Sequence, residues 1–273
     1  MSPNSSPRVL LRTCPDALSE RKGHSCRMGF INADSVALVT GGSRGIGLAA
    51  ARGIGALGAS VVLLGTDRAR AEAAAAQLQA EGIDAVPVAA DVADPDSLAR
   101  AALELGPLAE PDVVVLSAGV MAEKMTRTVR TSPEEWRRVM GVNLDGAFYS
   151  IHSFTQGLVK KRSGRVIALS ACLGRFSGPG TSGGLAPYRI SKAGVNALIR
   201  NFAAEMQWGE RGVLVDAVCP GHCRTDMGGP DAPRSVEEGA ETVVWLANRD
   251  DRQPDGSVSP TGLLWEDREI VPW

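Results

Sequence analysis

Short apolar runs alternate with segments of helical character from Ser35 onward, and this alternation restricts the possible folds more than any other feature of the chain. Each apolar run is hydrophobic throughout rather than at every second position, as strands covered on both faces require. Strand–helix repeats of this length favour right-handed crossovers and a parallel sheet. The predicted strands span residues 36–39, 60–64, 85–89, 113–116, 166–169 and 213–218.

The segments between these strands carry helix signals. Residues 48–57 and 70–81 are rich in Ala, and residues 95–105 follow Asp94, a suitable N-cap. Ser132 followed by Pro133 and two glutamates predicts another helix start. A further helix has an apolar stripe at Val195, Leu198, Ile199, Phe202 and Met206. Since no repeat or linker interrupts this pattern, we predict one α/β domain over residues 34–273.

Residues 1–33 differ from the rest of the chain. They are rich in Ser, Pro and Arg, and their longest apolar run, Val9 to Leu11, is too short for the core of a signal peptide. We expect a disordered N-terminal extension at residues 1–33, or an upstream start codon with Met28 as the alternative start. A functional arm is the other possibility.

Charge and cysteine content exclude several functions. The 29 basic and 31 acidic residues give a net charge of -2, which offers a polyanion no attraction, so no nucleic acid is expected. No apolar run approaches the length of about 18 residues that a membrane span needs. The five cysteines are scattered, which fits reduced thiols in the cytoplasm. Cys219, His222 and Cys223 lack the further ligands of a zinc site, so no metal is expected.

A glycine-rich turn, TGGSRGIG, follows the first predicted strand at residues 40–47 and opens the first helix. Such a turn aims backbone N–H groups and the positive helix end at a pyrophosphate, and together with the strand pattern it predicts a single Rossmann-type doubly wound sheet with helices on both faces. A purely structural turn is the alternative. The predicted phosphate contacts come from Gly41, Ser43, Arg44, Gly45, Ile46 and Gly47.

The turn has the spacing Gly-x-x-x-Gly-x-Gly, and here the chain resembles the short-chain dehydrogenase/reductase family. The likeness continues along nearly the whole domain. It implies that Asp91 and Val92 contact adenine and that Thr225 meets the nicotinamide carboxamide. It further implies cofactor contacts from Ser117, Ala118 and Gly119, where the family usually has Asn-Ala-Gly, and from Pro220 and Gly221.

The choice of cofactor depends on the end of the second strand. An acid there would bind the ribose hydroxyls of NAD and repel a 2′-phosphate. Gly65 and Thr66 stand at that place, with Arg44 and Arg68 nearby, and guanidinium groups favour a phosphate. We therefore predict NADP(H), with Thr66 and Arg68 among its contacts. NAD(H) is the alternative if Asp67 reaches the ribose.

Tyr188 and Lys192 match the family's catalytic pair, which implies that Tyr188 is the acid/base and Lys192 its partner. Residues four apart on a helix share a face, so both side chains can reach one pocket. A lysine cation and a positively charged nicotinamide favour the phenolate, so we expect a lowered pKa for Tyr188.

Two further residues complete the expected catalytic group. Asn143 matches the family asparagine that bends a helix and holds a water in a relay to Lys192; a buried asparagine bonded to its own backbone is the alternative. The family ends its fifth strand in Ser-Ser, whereas this chain has Ser170 and then Ala171. Since adjacent strand residues face opposite sides, Ser170 replaces the missing serine only after a register change. Ser177, Thr181 and Ser182 are other sources of a hydroxyl.

The resemblance implies a carbonyl-reductase-type enzyme acting on a ketone, aldehyde or alcohol. Residues 171–187 border the expected substrate end, and residues 222–235 stand where the family has its mobile lid. The missing serine leaves open a non-redox cyclase, isomerase or dehydratase on the same fold, or an NADP(H)-binding regulator. Family members form homodimers or homotetramers through long helices, here the segments 132–161 and 188–208.

Overall fold

A single sheet organises the computed structural model, which describes residues 29–123 and 127–273. Within these residues its strand order is β3-β2-β1-β4-β5-β6-β7-β8, with every neighbouring pair parallel except β7 and β8. This architecture confirms the predicted Rossmann-type fold. The strands are β1 (Val36–Thr40), β2 (Ser60–Gly65), β3 (Ala85–Ala89), β4 (Val113–Leu116), β5 (Gly164–Leu169), β6 (Val213–Val218), β7 (Leu264–Glu266) and β8 (Glu269–Val271).

Two helices begin at the capping residues that the sequence indicates. Asp94 accepts a hydrogen bond from the Asp96 N–H, and the Ser132 hydroxyl accepts one from the Glu135 N–H. One turn of π-helix, Gly141–Asp145, joins the fourth helix to the fifth. The helices are α1 (Gly45–Gly55), α2 (Arg68–Ala80), α3 (Pro95–Leu105), α4 (Pro133–Met140), α5 (Gly146–Phe154), α6 (Gln156–Lys161), α7 (Ala186–Glu205) and α8 (Val236–Asn248).

The sheet is buried on both faces, as its uninterrupted apolar strands require. On one face, alternate strand residues such as Leu38 and Val114 join the core under α3, α5, α6 and α7. On the other face, their neighbours such as Val39 and Val115 join the core under α1, α2 and α8. Because successive side chains of a strand point to opposite faces, one apolar run supplies both cores.

The strand order reverses between β1 and β4. The connections that leave these two strands therefore diverge to opposite faces, and a crevice opens at the carboxyl ends of the strands. The Thr40 hydroxyl at the end of β1 accepts hydrogen bonds from the N–H groups of Ser117 (3.1 Å) and Ala118 (3.2 Å). This side chain holds the turn after β4 against the glycine-rich turn after β1.

The hairpin β7–β8 extends the sheet beyond the six strands that the sequence predicts. Its two turn residues, Asp267 and Arg268, have φ values of 52° and 63°, the conformation that matches the twist of a two-residue hairpin. Buried Asp216 on β6 accepts hydrogen bonds from the Trp265 indole (2.9 Å) and forms an ion pair with Arg249. The sequence did not predict this hairpin, because its strands are only three residues long and its turn lacks the Asn-Gly pair that marks such turns.

The packed part of the chain begins before the boundary that we predicted at residue 34. Ile31 is buried and its N–H donates to the Asn248 side chain at 2.9 Å, while the Arg165 guanidinium stacks on the ring of Phe30. These contacts hold residues 30 and 31 to the domain. The rest of the predicted extension, residues 1–28, lies outside the described residues. Across the described chain, no helix combines the length and apolar character needed to cross a bilayer.

Candidate active site

A cleft of about 370 Å³ lies at the carboxyl ends of β1, β4 and β5, at the point where the strand order reverses. Its walls come from the glycine-rich turn, the turn after β4, the start of α7 and the segment after β6. Of the residues singled out in the sequence, the cleft brings together Gly41, Arg44, Gly45, Ile46, Gly47, Ser117, Ala118, Gly119, Ser170, Tyr188, Lys192 and Thr225.

The glycine-rich turn has the geometry of a phosphate cradle. Gly41 and Gly45 have φ values of 65° and 55°, and a Cβ on Gly41 would lie 2.9 Å from the backbone of Ala118. Only glycine tolerates both conditions. Arg44 precedes α1 without a side-chain cap, and the first turn of α1 contains no acid. The positive end of an eleven-residue helix is therefore directed at the cleft, an arrangement that fits an anionic pyrophosphate.

Tyr188 and Lys192 lie one turn apart on α7, and both are buried at the inner end of the cleft. The Lys192 ammonium is 5.9 Å from the centre of the Tyr188 ring and donates a hydrogen bond of 2.7 Å to the carbonyl of Leu169, the last residue of β5. This bond fixes the ammonium between the end of the sheet and the tyrosine. The predicted pair is thus assembled at one place.

The electrostatics of this pair differ from the sequence-based expectation of a lowered pKa for Tyr188. Burial raises the pKa of Tyr188 above its usual value, and negative charge on the nearby sulfurs of Cys219 and Cys172 raises it further. Burial also lowers the pKa of Lys192 to about 8. Desolvation has the largest effect on both pKa values, because it penalises the charged form of each group. At neutral pH, Tyr188 is a phenol and Lys192 an ammonium.

Asn143 lies behind the cleft, in the π-helical turn between α4 and α5, and is 2% exposed. Its side chain accepts a hydrogen bond from the Val120 N–H (2.8 Å) and donates to the Val120 carbonyl (3.0 Å) and the Ser191 hydroxyl (3.0 Å). A Cβ on Gly119 would lie 3.4 Å from Asn143 Oδ1 and 3.6 Å from Lys192 Nζ. Asn143 therefore joins the turn after β4 to α7, beside Lys192.

The end of β5 has no hydroxyl at the place where the family resemblance expects one. Ala171 packs into the apolar cluster that contains Tyr188. The Ser170 hydroxyl instead donates to Asn196 Oδ1 at 2.5 Å, on α7. Ser170 still lines the cleft, but its proton is already engaged, so its expected role in orienting a substrate finds no support in this orientation.

The other candidate hydroxyls are also directed elsewhere or exposed. Ser177 donates to the carbonyl of Trp273 at 3.3 Å, and Thr181 donates to the carbonyl of Gly178 at 2.8 Å. Ser182 is exposed on the loop surface. A register change at β5 does not occur, since Leu169 still pairs with Val218.

The remaining predicted cofactor residues lie outside the walls of the cleft. Ser43 faces the end of β2, where a Cβ on Gly65 would lie 3.0 Å from its hydroxyl. Thr66 is exposed, and Val92 is buried beneath the segment that starts α5. Asp91 bonds to the N–H of Ala93 at 2.9 Å. The others in this group are Arg68, Pro220 and Gly221.

No acid is positioned for a ribose at the end of β2. The Asp67 carboxylate accepts a hydrogen bond from the Arg70 N–H at 3.1 Å and thereby caps α2. Arg68 forms an ion pair with Glu104 on α3. Arg44 forms an ion pair with Asp226 in the segment after β6, and both side chains are largely exposed. Exposed ion pairs of this kind contribute about 0–1 kcal/mol, so a phosphate can displace them.

Two residues of the site were missed in the sequence. Ser191 accepts the hydrogen bond from Asn143 and itself donates to the Tyr188 carbonyl at 2.7 Å. Asn196 accepts from Ser170 and donates to the carbonyl of Gly174 at 3.3 Å. Ser191, Lys192 and Asn196 follow Tyr188 at intervals of three, four and eight, which place them on one helix face. That spacing is the signal that could have found them.

Two thiols flank the tyrosine at the ends of β5 and β6. A hydrogen bond with Cys219 lowers the pKa of Cys172, and the same bond together with burial raises the pKa of Cys219. Cys219 is in addition 3.6 Å from a carboxylate oxygen of Glu266. Negative charge on these sulfurs contributes to the raised pKa of Tyr188.

The sheet order and the position of the cleft define a Rossmann-type α/β protein. A family profile described as "short chain dehydrogenase" matches residues 35–235. The chain belongs to the short-chain dehydrogenase/reductase family, whose members are hydride-transferring oxidoreductases.

The curated relatives include a 3-oxoacyl-(acyl-carrier-protein) reductase from Pseudomonas aeruginosa. It is 33% identical over 243 residues, which cover 83% of this chain and 93% of the relative. A galactitol 2-dehydrogenase (L-tagatose-forming) from Cereibacter sphaeroides is 34% identical, with coverage of 70% and 72%.

Solved structures have the same fold as this chain. A short-chain dehydrogenase/reductase family protein superposes with a TM-score of 0.72 at 31% identity, covering 85% of this chain and 94% of that one. An actinorhodin polyketide ketoreductase variant with NADPH reaches a TM-score of 0.75 at 24% identity, over 85% and 95% of the two chains, and supports the fold alone.

The buried lysine predicts a characteristic pH dependence of stability. The pKa of Lys192 is about 8 in the folded protein and near 10.5 in the unfolded chain, so between these values the unfolded state binds more protons. The free energy of unfolding should therefore rise with pH across this window, relative to Lys192→Met, at up to about 1.4 kcal/mol per pH unit. Below pH 8 both states hold the proton and the difference is constant.

Urea denaturation at intervals between pH 7 and pH 10 measures this difference. Lys160→Met is the matched control, because Lys160 is exposed on α6 and its loss should leave the pH profile unchanged. Parallel profiles for the wild type and Lys192→Met would contradict the lowered pKa.

Proposed function

We propose that this protein is an NADP(H)-dependent reductase of a ketone or aldehyde, of the carbonyl-reductase type, which can also run in the alcohol-oxidising direction. The observation that carries the proposal is the buried pair Tyr188 and Lys192 on α7, facing the same cleft as the glycine-rich turn. The cleft contains both a turn suited to a pyrophosphate and an acid/base, and reduction of a carbonyl by a nicotinamide cofactor requires both. NAD(H) is the less favoured cofactor.

Tyr188 is proposed as the acid in the reductive direction. When bound, the nicotinamide supplies the hydride to the carbonyl carbon of the substrate. The phenol of Tyr188 gives its proton to the carbonyl oxygen, for which the protonated form is required, and burial favours that form by raising the pKa. The Lys192 ammonium then stabilises the phenolate that remains, since opposite charges in a desolvated site attract strongly.

Asn143 is proposed as the residue that keeps this pair in position and supports the return of the proton. A small cavity of about 10 Å³ lies between Asn143, Lys192 and Ala118, close to the space that one water molecule needs. Lys192 reaches this cavity from one side and the cleft from the other. Lys192 therefore lies between this cavity and the cleft that contains Tyr188.

The proposed substrate is a carbonyl flanked by carbon on both sides. The names of two relatives describe interconversion of a ketone and a secondary alcohol, at a 3-oxoacyl group and at carbon 2 of a sugar alcohol. The side of Tyr188 away from the cofactor turn is apolar, formed by Ala171, Leu173 and Leu185. An apolar wall of this kind favours an uncharged carbon chain next to the carbonyl.

Ala171 favours one alternative, a non-redox cyclase, isomerase or dehydratase that uses Tyr188 as acid/base. A missing hydrogen-bond donor to a developing oxyanion costs about 3 kcal/mol, or roughly a hundredfold in rate. A cofactor-binding regulator is less favoured, because it has no use for a buried tyrosine–lysine pair.

Tyr188→Phe should reduce the rate of carbonyl reduction by about 10²–10⁴-fold, because it removes only the hydroxyl that delivers the proton. NADPH consumption is measured at 340 nm with a panel of ketones and aldehydes. The matched control is Tyr149→Phe, which removes the other tyrosine hydroxyl of the chain, outside the cleft.

Equal rates for the wild type and Tyr188→Phe would contradict the acid/base assignment. Bound NADPH that no carbonyl oxidises would instead favour the non-redox alternative, and failure to bind either nicotinamide cofactor would refute both.

Arg44→Leu should raise the KM for NADPH by roughly 10–100-fold and leave that for NADH within about threefold, because charge-assisted bonds to a 2′-phosphate contribute about 1.5–3 kcal/mol. Steady-state kinetics with both cofactors measure the ratio. Arg52→Leu is the control, since Arg52 pairs with Glu81 away from the cleft. Equal losses for NADPH and NADH would show that Arg44 acts through Asp226 and the lid segment rather than through the phosphate.

A homodimer or homotetramer is proposed through α5 and α7. Phe148 is 50% exposed and Ile190 is 45% exposed, and an apolar groove runs between the two helices beside Phe148. Exposed aromatic groups around a groove are typical of a protein interface.

Light scattering at micromolar concentration should report a dimer or tetramer for the wild type and a smaller species for Phe148→Glu, because a charge would be desolvated in the interface. Leu103→Glu is the control, since Leu103 is equally apolar and 83% exposed on α3. A monomeric wild type would refute the proposal.

A further inference from the structure

The loop between β5 and α7 borders Tyr188 and is unusually rich in glycine. Residues 172–185 contain five glycines, and Phe176 at the outer part of the loop is 85% exposed. Glycine loses more conformational freedom on ordering than any other residue, so a loop of this composition does not hold one shape without fixed anchors. Leu173 and Leu185 of this loop pack in the same apolar cluster as Tyr188.

One side chain supplies most of the polar anchors of this loop. Arg189 follows Tyr188 on α7, and its Nε donates to the Gly184 carbonyl at 2.9 Å. Its Nη1 lies within hydrogen-bond distance of the carbonyls of Pro179 (3.1 Å), Gly180 (3.3 Å) and Leu173 (3.5 Å). All of these acceptors are main-chain carbonyls of the same loop.

The residues that Arg189 holds adjoin the tyrosine directly. Leu173 and Leu185 pack in the apolar cluster of Tyr188 and Ala171. Arg189 bonds to the carbonyl of Leu173 and to that of Gly184, which precedes Leu185, so one guanidinium fixes both ends of the loop where they meet Tyr188. Leu185 has a φ value of 55°, a left-handed conformation that a leucine keeps only under such constraint.

Other polar contacts tie the loop to the rest of the protein at its first residues. Asn196 donates to the Gly174 carbonyl at 3.3 Å, Ser177 donates to the Trp273 carbonyl at 3.3 Å, and Arg175 forms an ion pair of 3.9 Å with Glu266. None of these three contacts reaches residues 179–184. Arg189 is therefore the main polar restraint on that part.

We propose that Arg189 is a positioning residue that determines substrate binding by holding the glycine-rich loop 172–185, and with it Leu173 and Leu185, in place against Tyr188. This inference rests on the proposed reductase function, but the loop contacts themselves do not. A planar guanidinium can reach several carbonyls at once, whereas a lysine ammonium on a flexible stem cannot reproduce that fork. Arg189→Lys therefore keeps the charge and loses the positioning.

Hydrogen exchange with mass spectrometry on the free protein tests the positioning. The amides of Gly174 and Gly180 bond within the loop, to the carbonyls of Ala171 (2.9 Å) and Ser177 (3.2 Å), so they report its order. In Arg189→Met and Arg189→Lys, peptides from residues 173–184 should exchange roughly tenfold faster or more, with peptides of β1 and α1 unchanged. Arg100→Met is the matched control: Arg100 is a helical arginine that pairs with Asp94 away from the loop, and its loss should leave exchange as in the wild type.

Kinetics with the best ketone of the panel test the consequence for substrate binding. We expect both Arg189 variants to raise the KM for the ketone about tenfold or more, with kcat changed less than about threefold and the Kd of NADPH within about twofold. Unchanged loop exchange in both variants would overturn the proposal. So would faster loop exchange with an unchanged KM.

The exchange measurement needs no turnover, which separates the two proposals. A wild type that reduces no carbonyl refutes the proposed function, while the exchange of residues 173–184 still decides whether Arg189 holds the loop. If Arg189→Met fails to fold, as judged by circular dichroism, Arg189→Lys provides the same test with the helix charge retained.

Discussion

Burial of parallel strands on both faces is the constraint on which the rest of this structure depends. Strands such as β1 and β4 are apolar throughout, so each needs helices on either side, and parallel strands reach that arrangement only through right-handed crossovers. All carboxyl ends of the parallel strands then lie at one edge of the sheet. The order reversal between β1 and β4 opens that edge, and the glycine-rich turn and α7 meet there.

The helix α7 connects this edge to the chemistry. Lys192 bonds to the last carbonyl of β5, Ser191 receives the hydrogen bond of Asn143, and Asn196 receives that of Ser170. The position of Tyr188 is therefore tied to two strand ends and to the π-helical turn between α4 and α5. The same burial that fixes these groups raises the pKa of Tyr188 and lowers that of Lys192, so positioning and acidity have one physical origin.

Two features distinguish this site from the family pattern that its sequence resembles. Ala171 gives the tyrosine a methyl neighbour where a hydroxyl is expected, and a glycine-rich loop that bonds to Arg189 packs beside the tyrosine. Arg44 and Asp226 join the cofactor turn to the segment after β6 across the mouth of the cleft. Two arginines thus contact segments around the site: Arg44 bonds to the segment after β6, and Arg189 bonds to the glycine-rich loop before α7.

The sequence determined the sheet with its strands β1 to β6 and the residues of the glycine-rich turn. Those features depend on local composition, such as the all-apolar run of β4 or the positive φ required at Gly41, and local composition can be recognised directly in the sequence. It also placed Tyr188 and Lys192 on one helix face, since a spacing of four specifies a shared face.

Only the tertiary structure decided where the polar hydrogens and charges go. The Ser170 proton goes to Asn196, Arg68 pairs with Glu104, and the tyrosine pKa rises rather than falls. The short hairpin β7–β8 and the fork of Arg189 onto loop carbonyls also carried no sequence signal. Each of these outcomes depends on which groups from distant parts of the chain approach within a few ångströms, and on how completely water is excluded between them, and neither follows from the order of residues along the chain.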